Sequence, residues 1–232
     1  MAGRRGTDRF AGRPARTTDA SALTHVRGLW DATVVAGNRP AGVDEAGRGS
    51  LAGPVVAAAV ILPSDAALPG LADSKLLRPA TRAHLAEAIR AEAVAYAVAA
   101  VEASEIDATD ILRATLRAMA MAVSGLTPQP DLVLVDGNVL PALAVPARAI
   151  VRGDRLVPAI SAASILAKVT RDSIMDGWAV RFPAYGFAQH KGYGTAAHRA
   201  CIAQHGPCAI HRRSFAGVRE HVGRPDTQGS LW

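Results

Sequence analysis

Apolar and polar positions along this chain change period several times, and each change predicts an element. A strand starting near Pro40 ends close to Glu45. The small residues Gly47, Gly49 and Gly53 then allow a reversal into the β-rich run 55–62, which predicts a hairpin. Residues 78–93 carry Pro79 early and good helix formers after it, and 94–101 has the composition of a strand. Leu112, Leu116, Met119 and Val123 recur at helical spacing, which predicts a helix from an N-cap at Ser104 to about Gly125. "LVLVDG" at 132–137 is a short buried strand, 147–154 a further one, and 158–182 a helix with Ala162, Ile165, Leu166 and Val169 on one face. Strands come first and then alternate with helices. That order implies an α/β fold with a mixed central sheet flanked by helices, and short Gly- and His-rich segments follow it.

No periodicity runs through residues 1–36, which are rich in Arg, Gly, Thr and Ala. They are expected to form a disordered basic arm before a single domain over 37–218, with 219–232 a flexible tail. At 232 residues and 50% hydrophobic content the chain can bury a sizeable core. Its longest apolar runs, 55–62 and 93–101, are under half of the roughly 20 residues of a membrane span. The N-terminal arginines are not followed by an apolar segment of the kind that directs export, so a cytoplasmic protein is expected. Two cysteines, Cys201 and Cys208, agree with a reducing compartment. The net charge of +6 favours an anionic partner, nucleic acid first among them. Only Lys75, Lys168 and Lys191 among the 26 basic residues are lysines, a scarcity that looks like compositional bias and makes each lysine worth placing.

Acids stand where the strands end. Asp44 and Glu45 close the first, Asp136 closes "LVLVD", and Asp154 follows "AIVRG". A single such acid is commonly a turn former, and Asp136 before Gly137 and Asp154 after Gly153 suit that role. The adjacent pair does not. Neighbours in a strand point to opposite faces, so Asp44 and Glu45 can serve one site only if the backbone bends at Glu45. Two carboxylates about 4 Å apart repel by roughly 4 kcal/mol at an effective dielectric near 20, so convergence of all four demands cations. All-oxygen donors select a hard ion, Mg²⁺ or Mn²⁺, and two such ions can activate water and stabilise the leaving oxygen of a phosphodiester. Cys201, His205, Cys208 and His211 are a weaker metal candidate, because the C-x₆-C interval does not suit a zinc knuckle.

The segments "DEAGRGSLAGPVV", "DSKLL", "VDGN", "GDRLVPAISAASILAKVTRD", "YGFAQHKGYGT" and "HRRSF", in this order between Gly42 and Phe215, closely resemble bacterial ribonuclease HII. The resemblance implies an RNase H-like fold with a C-terminal helical part. It also implies an enzyme that hydrolyses RNA in RNA–DNA hybrids and nicks 5′ to a ribonucleotide within duplex DNA, leaving 3′-hydroxyl and 5′-phosphate ends. By the same resemblance Asp44, Glu45, Asp136 and Asp154 are catalytic metal ligands, and Gly47, Arg48 and Gly49 contact the ribonucleotide backbone and 2′-hydroxyl. Tyr193 stacks at the RNA-to-DNA junction, while Lys75, Ser161, Ser164 and Lys168 lie near backbone phosphates. Asp73 is read as a turn or cap residue and Asp172 as a helix-surface partner of Arg171 or Lys168, neither as a metal ligand. Ser50 stands where the family usually has proline, and Leu76 where a second lysine is common. Ribonuclease HIII would be expected to carry an N-terminal substrate-binding domain and a lysine in the glycine loop. A non-catalytic nucleic-acid module would be expected to have lost one of the four acids. A monomer acting on nucleic acid is the expected form.

Overall fold

A computed structural model of the protein describes residues 39–66, 68–71 and 78–223. Five strands, β1 (Pro40–Ala46), β2 (Val55–Ile61), β3 (Ala95–Val101), β4 (Leu132–Asp136) and β5 (Ala147–Ile150), form one sheet in the order β3-β2-β1-β4-β5. β2 is antiparallel to β1 and β3, whereas β1, β4 and β5 run parallel, so the sheet is mixed as the element order implies. The basic arm expected over 1–36, and with it Asp73, Lys75 and Leu76, lies outside the described residues.

Continuous burial of "VVAAAVI" in β2 follows from its place inside a sheet covered on both faces. Ala58 and Val60 face a core with Leu134, Ile150 and the helices α1 (Pro79–Glu92) and α4 (Pro158–Arg181). Ala57, Ala59 and Ile61 face the opposite core with Val133, Val135 and α3 (Ile111–Ser124). The small strand residues let α4 lie close. At Gly42 a Cβ would stand 2.1 Å from the carbonyl carbon of Ala159, so a side chain there would push the start of α4 off β1.

Two predicted elements end differently. Instead of one helix capped by Ser104 there are two, α2 (Ala103–Ala108) and α3, broken at Thr109 and Asp110. The Asp110 carboxylate accepts the Arg113 N–H at 2.8 Å, giving α3 its own N-cap. The buried face of α3 then runs through Ala114, Ala118, Met119, Ala122 and Val123, and leaves Leu112 exposed. The strand expected over 147–154 stops at Ile150. Arg152 adopts φ +60° and Gly153–Arg155 form a 3₁₀ turn, so Asp154 sits on a turn that doubles back.

Beyond α4 come a 3₁₀ turn (Pro183–Tyr185), α5 (Phe187–His190) and α6 (Ala196–His205). This C-terminal part packs Tyr185, Phe187, Cys208 and Ile210 on Ala52 and Met175, while Val218 and Ile202 enclose Leu51. It therefore docks on the loop that follows β1. Past the expected domain boundary at 218, Arg219–His221 form a last 3₁₀ turn. Among the described residues no helix is long and apolar enough to cross a membrane.

Candidate active site

Strand register brings the acids together. Val43 pairs with Val135 in the parallel β1–β4 ladder, so the next residues, Asp44 and Asp136, stand side by side at the carboxyl ends of neighbouring strands. Asp136 pairs in turn with Ile150 of β5, and the turn after β5 returns the Asp154 N–H to Asp136 Oδ1 at 3.4 Å. The glycine at 153 makes that return possible, because a Cβ there would lie 2.6 Å from Ile160 Cδ1. The Ser161 hydroxyl donates to the Asp154 carbonyl and ties the turn to the first turn of α4.

The bend expected at Glu45 is absent. The β1–β2 ladder continues through Glu45↔Ala57 and Ala46↔Val56. What links the adjacent acids is a hydrogen bond of 2.7 Å from the Glu45 N–H to Asp44 Oδ1, which draws the Asp44 carboxylate along the strand. Burial, then the charges of Glu45 and Asp136, raise the Asp44 pKa well above the ordinary carboxylate value, against a hydrogen bond from Ser164. Burial also raises Glu45, opposed by Arg48, whose Nη1 is 3.8 Å away, and reinforced by Asp136. Among the described residues no three His, Cys, Asp or Glu side chains already close into a metal cage. The donor chemistry nonetheless fits a hard divalent cation: the donors are all carboxylate oxygens, and the cluster is deficient in positive charge.

Beside the acids opens a cleft of about 380 Å³ lined by Glu45, Gly47, Arg48, Gly49, Arg82, Ser164, Lys168 and Tyr193. The glycine loop, Ser164, Lys168 and Tyr193, all singled out in the sequence, thus meet in one place. Lys168 pairs with Asp172 at 2.6 Å and holds its ammonium 5.4 Å from the Tyr193 ring centroid. Ser161 is placed differently from the expected phosphate contact: it is buried, and its hydroxyl is engaged by the Asp154 carbonyl. Lys75 lies outside the described residues. Arg82, brought in by α1, had no distinguishing signal among so many arginines.

Two further residues escaped sequence reasoning. Arg171 and Arg212 are fully buried, and each donates three hydrogen bonds to main-chain carbonyls. Arg171 holds Pro54, Ala52 and Lys191 at 2.9–3.0 Å, and its guanidinium lies 5.3 Å from the Tyr193 ring centroid. Arg212 holds Gly53, Arg48 and Gly47 at 2.7–3.1 Å. The signal was present in "HRRSF" and "KVTRD", but an arginine with no apolar context gives no hint of burial. His198 and His211 are buried behind Tyr193 with their Nε2 atoms 3.0 Å apart. Cys208 offers its N–H to His211 Nδ1 at 2.9 Å, so these histidines are hydrogen-bonded within the C-terminal core.

Comparison with known proteins agrees with this arrangement. The family model described as Ribonuclease HII matches residues 41–218. The chain is 57% identical to a Ribonuclease HII of Verminephrobacter eiseniae over 212 residues, covering 90% of this chain and 95% of that one. It is 54% identical to a Ribonuclease HII of Nitratidesulfovibrio vulgaris over 203 residues, 83% of this chain and 92% of that one. Among solved structures, the ribonuclease H2 of Pyrococcus horikoshii superposes with a TM-score of 0.66 at 27% identity, over 78% of this chain and 96% of that one. A ribonuclease HIII solved with Mn²⁺ superposes with a TM-score of 0.62 at 16% identity, over 88% of this chain and 73% of that one, a likeness of fold. With a matching family model over most of its length and relatives of that name at 54–57% identity over most of both chains, the chain belongs to the ribonuclease HII family and is a hydrolase of the ribonuclease H type.

Proposed function

We propose that this protein is an endonuclease that hydrolyses the RNA strand of RNA–DNA hybrids and nicks duplex DNA on the 5′ side of an embedded ribonucleotide, leaving a 3′-hydroxyl and a 5′-phosphate. Such an activity removes misincorporated ribonucleotides and would be carried out where the cell keeps its DNA, in the cytoplasm of a bacterium. The observation that carries the proposal is that Asp44, Glu45 and Asp136 interact at the ends of neighbouring strands, with the Asp154 N–H held on Asp136, beside a cleft that presents Arg48, Lys168 and Tyr193. The acting unit proposed is a monomer.

The four carboxylates would hold Mg²⁺ or Mn²⁺, two ions when substrate is present. The ions would supply Lewis-acid charge, lowering the pKa of a water and steadying the negative charge that develops on the phosphate. The chain's own residues do the rest. Ser164 and the Glu45 N–H hydrogen-bond the Asp44 carboxylate and fix its orientation. The hydroxyl of Ser161 fixes the turn that carries Asp154. Lys168 and Arg48 face backbone phosphates, which positions the duplex but carries no information about the sugar. The sugar is read by the Gly47–Gly49 loop and by stacking on Tyr193, since the 2′-hydroxyl is the chemical difference between the polymers.

A cleavage assay on duplexes with no ribonucleotide, one, or a run of several tests this reading, with Mg²⁺, with Mn²⁺ and with a chelator. Cutting of both ribonucleotide-containing duplexes, dependent on divalent metal, is expected. A site built to hydrogen-bond a hydroxyl rejects the analogue lacking it by on the order of 10⁴-fold, so the all-DNA duplex should stay intact. Comparable nicking of all-DNA duplex would overturn the proposal.

A further inference from the structure

We propose that Arg212 is the positioning residue that aims the Gly47–Gly49 loop, presenting the N–H groups of Arg48 and Gly49 to the cleft as paired donors to the ribose 2′-hydroxyl. It would set the preference for RNA over DNA without touching substrate. The inference rests on the proposed cleavage at ribonucleotides.

The geometry is that of the peptide bond. Arg212 Nη2 donates to the Gly47 carbonyl at 2.7 Å, and Nη1 to the Arg48 carbonyl at 2.8 Å. In a planar trans peptide the N–H points opposite to the C=O. The Gly47 carbonyl shares its peptide with the Arg48 N–H, and the Arg48 carbonyl shares its peptide with the Gly49 N–H. Turning both carbonyls inward onto one guanidinium therefore turns both N–H groups outward. Arg48 and Gly49 are exposed and line the cleft, and among the described residues neither N–H donates to a main-chain acceptor.

Simple stapling of the C-terminal segment does not account for this side chain. The main chain already makes that attachment, through the Arg212 N–H to the Leu51 carbonyl at 2.9 Å and the bridge between Ala52 and His211. The guanidinium is a second, separate connection. It lies 5.1 Å from the Phe215 ring centroid, and burial followed by the charge of Arg171 brings its pKa down to about 9, so it remains a cation at neutral pH. Gly47 makes room for the neighbouring buried arginine: its φ is +89°, and a Cβ there would stand 1.8 Å from Arg171 Nε. Arg212 thus holds the loop from its buried side, and the exposed Arg48 and Gly49 border the cleft.

Arg212→Lys keeps the charge and the stem but loses the planar fork that holds two carbonyls at once. The test measures kcat/KM on a duplex with one embedded ribonucleotide. It also measures affinity for that duplex and for its all-DNA counterpart, both in EDTA. Expected are a fall in kcat/KM on the order of 100-fold, loss of the affinity difference between the two duplexes, and all-DNA affinity within about twofold of the parent. Unchanged kcat/KM with the affinity difference intact overturns the proposal. So does an equal loss of affinity for both duplexes, which would mean that the loop grips phosphate. If Arg212→Lys does not fold, Gly49→Pro deletes one proposed donor at an exposed position where an added Cβ meets nothing within 4 Å. It should lose the same preference, and normal cleavage by it overturns the proposal. Should the parent protein cut no ribonucleotide-containing duplex, the reading of its function fails. Should the parent cut while the Arg212 and Gly49 variants match it, only the positioning role fails.

Discussion

The amide of Asp154 lies 3.4 Å from Oδ1 of Asp136, joining the turn after β5 to the end of β4 across 18 residues of sequence. The contact is between a main-chain donor and a side-chain acceptor, so an amide in place of either carboxylate leaves it available. Asp136→Asn and Asp154→Asn should therefore fold as the parent does, with superimposable circular dichroism. Their cleavage of a ribonucleotide-containing duplex should fall by on the order of 100-fold or more, because each removes a charged oxygen donor for the metal. Full activity of Asp154→Asn in Mg²⁺ would remove it from the site.

Burial and its acidic neighbours make the charge of Asp44 costly in the metal-free protein. It is buried and faces the charges of Glu45 and Asp136. Asn at this position still accepts the Glu45 N–H, yet ends the repulsion. Asp44→Asn should consequently melt higher than the parent in EDTA, a gain of about 1 kcal/mol appearing as ~2–4 °C in a domain of this size. Mg²⁺ should raise the Tm of the parent and leave that of the variant nearly unmoved. A lower Tm for Asp44→Asn in EDTA would show that its carboxylate is stabilising as it stands.

The histidines behind Tyr193 give a pH dependence of their own. His198 Nδ1 is 3.0 Å from the Tyr193 carbonyl and must donate to it, which leaves Nε2 to accept from His211 Nε2–H. His211 Nδ1 is then free to accept the Cys208 N–H, so both rings are neutral and each tautomer is fixed. Burial first, opposed at His198 by the bond to Tyr193, lowers the two pKa values from 6.5 to about 4 for His198 and about 3 for His211. As pH drops below 6.5 the unfolded chain takes up protons that the folded chain refuses. Stability from these groups is therefore complete above 6.5 and declines toward pH 4, by up to about 1.4 kcal/mol per pH unit for each ring. Urea midpoints measured from pH 8 to pH 4.5 should follow that decline, and His198→Asn should flatten it. An identical slope in the variant would place the pH dependence elsewhere.

Much of this site was legible because its logic is local. Acids at the ends of apolar strands stand out, and "LVLVD" and "VDEAG" mark their own termini. The helix at 158–182 was predicted to within one residue of Pro158–Arg181, its apolar face being continuous. The turn carrying Asp154 was harder: Ile150 and Val151 continue a strand pattern, and only the packing of Gly153 against Ile160 shows where the chain reverses. The split at Asp110 was hidden because Ser104 and Asp110 are both good N-cap residue types, and the apolar spacing, which begins at Leu112, does not choose between them. The buried arginines were not legible at all. Five of their six acceptors, the carbonyls of Gly47, Arg48, Ala52, Gly53 and Pro54, are more than 100 residues away, and a carbonyl has no sequence signature.

Tyr193 is the place where positioning and recognition can be separated. Its backbone is fixed by the N–H to the His190 carbonyl at 2.9 Å and by a bridge to Ser50 across from the glycine loop. Its ring is half-buried, close to the cations of Lys168 and Arg171, and borders the cleft. A ring held in this way offers a stacking surface at little entropic cost, and stacking is worth roughly 1–3 kcal/mol per base. Tyr193→Ala should thus cut cleavage at a single embedded ribonucleotide by about 10–100-fold, while phosphate contacts keep overall duplex affinity close to the parent's. Tyr193→Phe separates the two ends of the side chain: it keeps the ring and should retain most activity if stacking dominates, but should behave like Tyr193→Ala if the hydroxyl does the reading. The measurement is single-turnover cleavage of a duplex with one ribonucleotide, beside binding of the same duplex in EDTA. Wild-type rates from Tyr193→Ala would remove the ring from substrate recognition altogether.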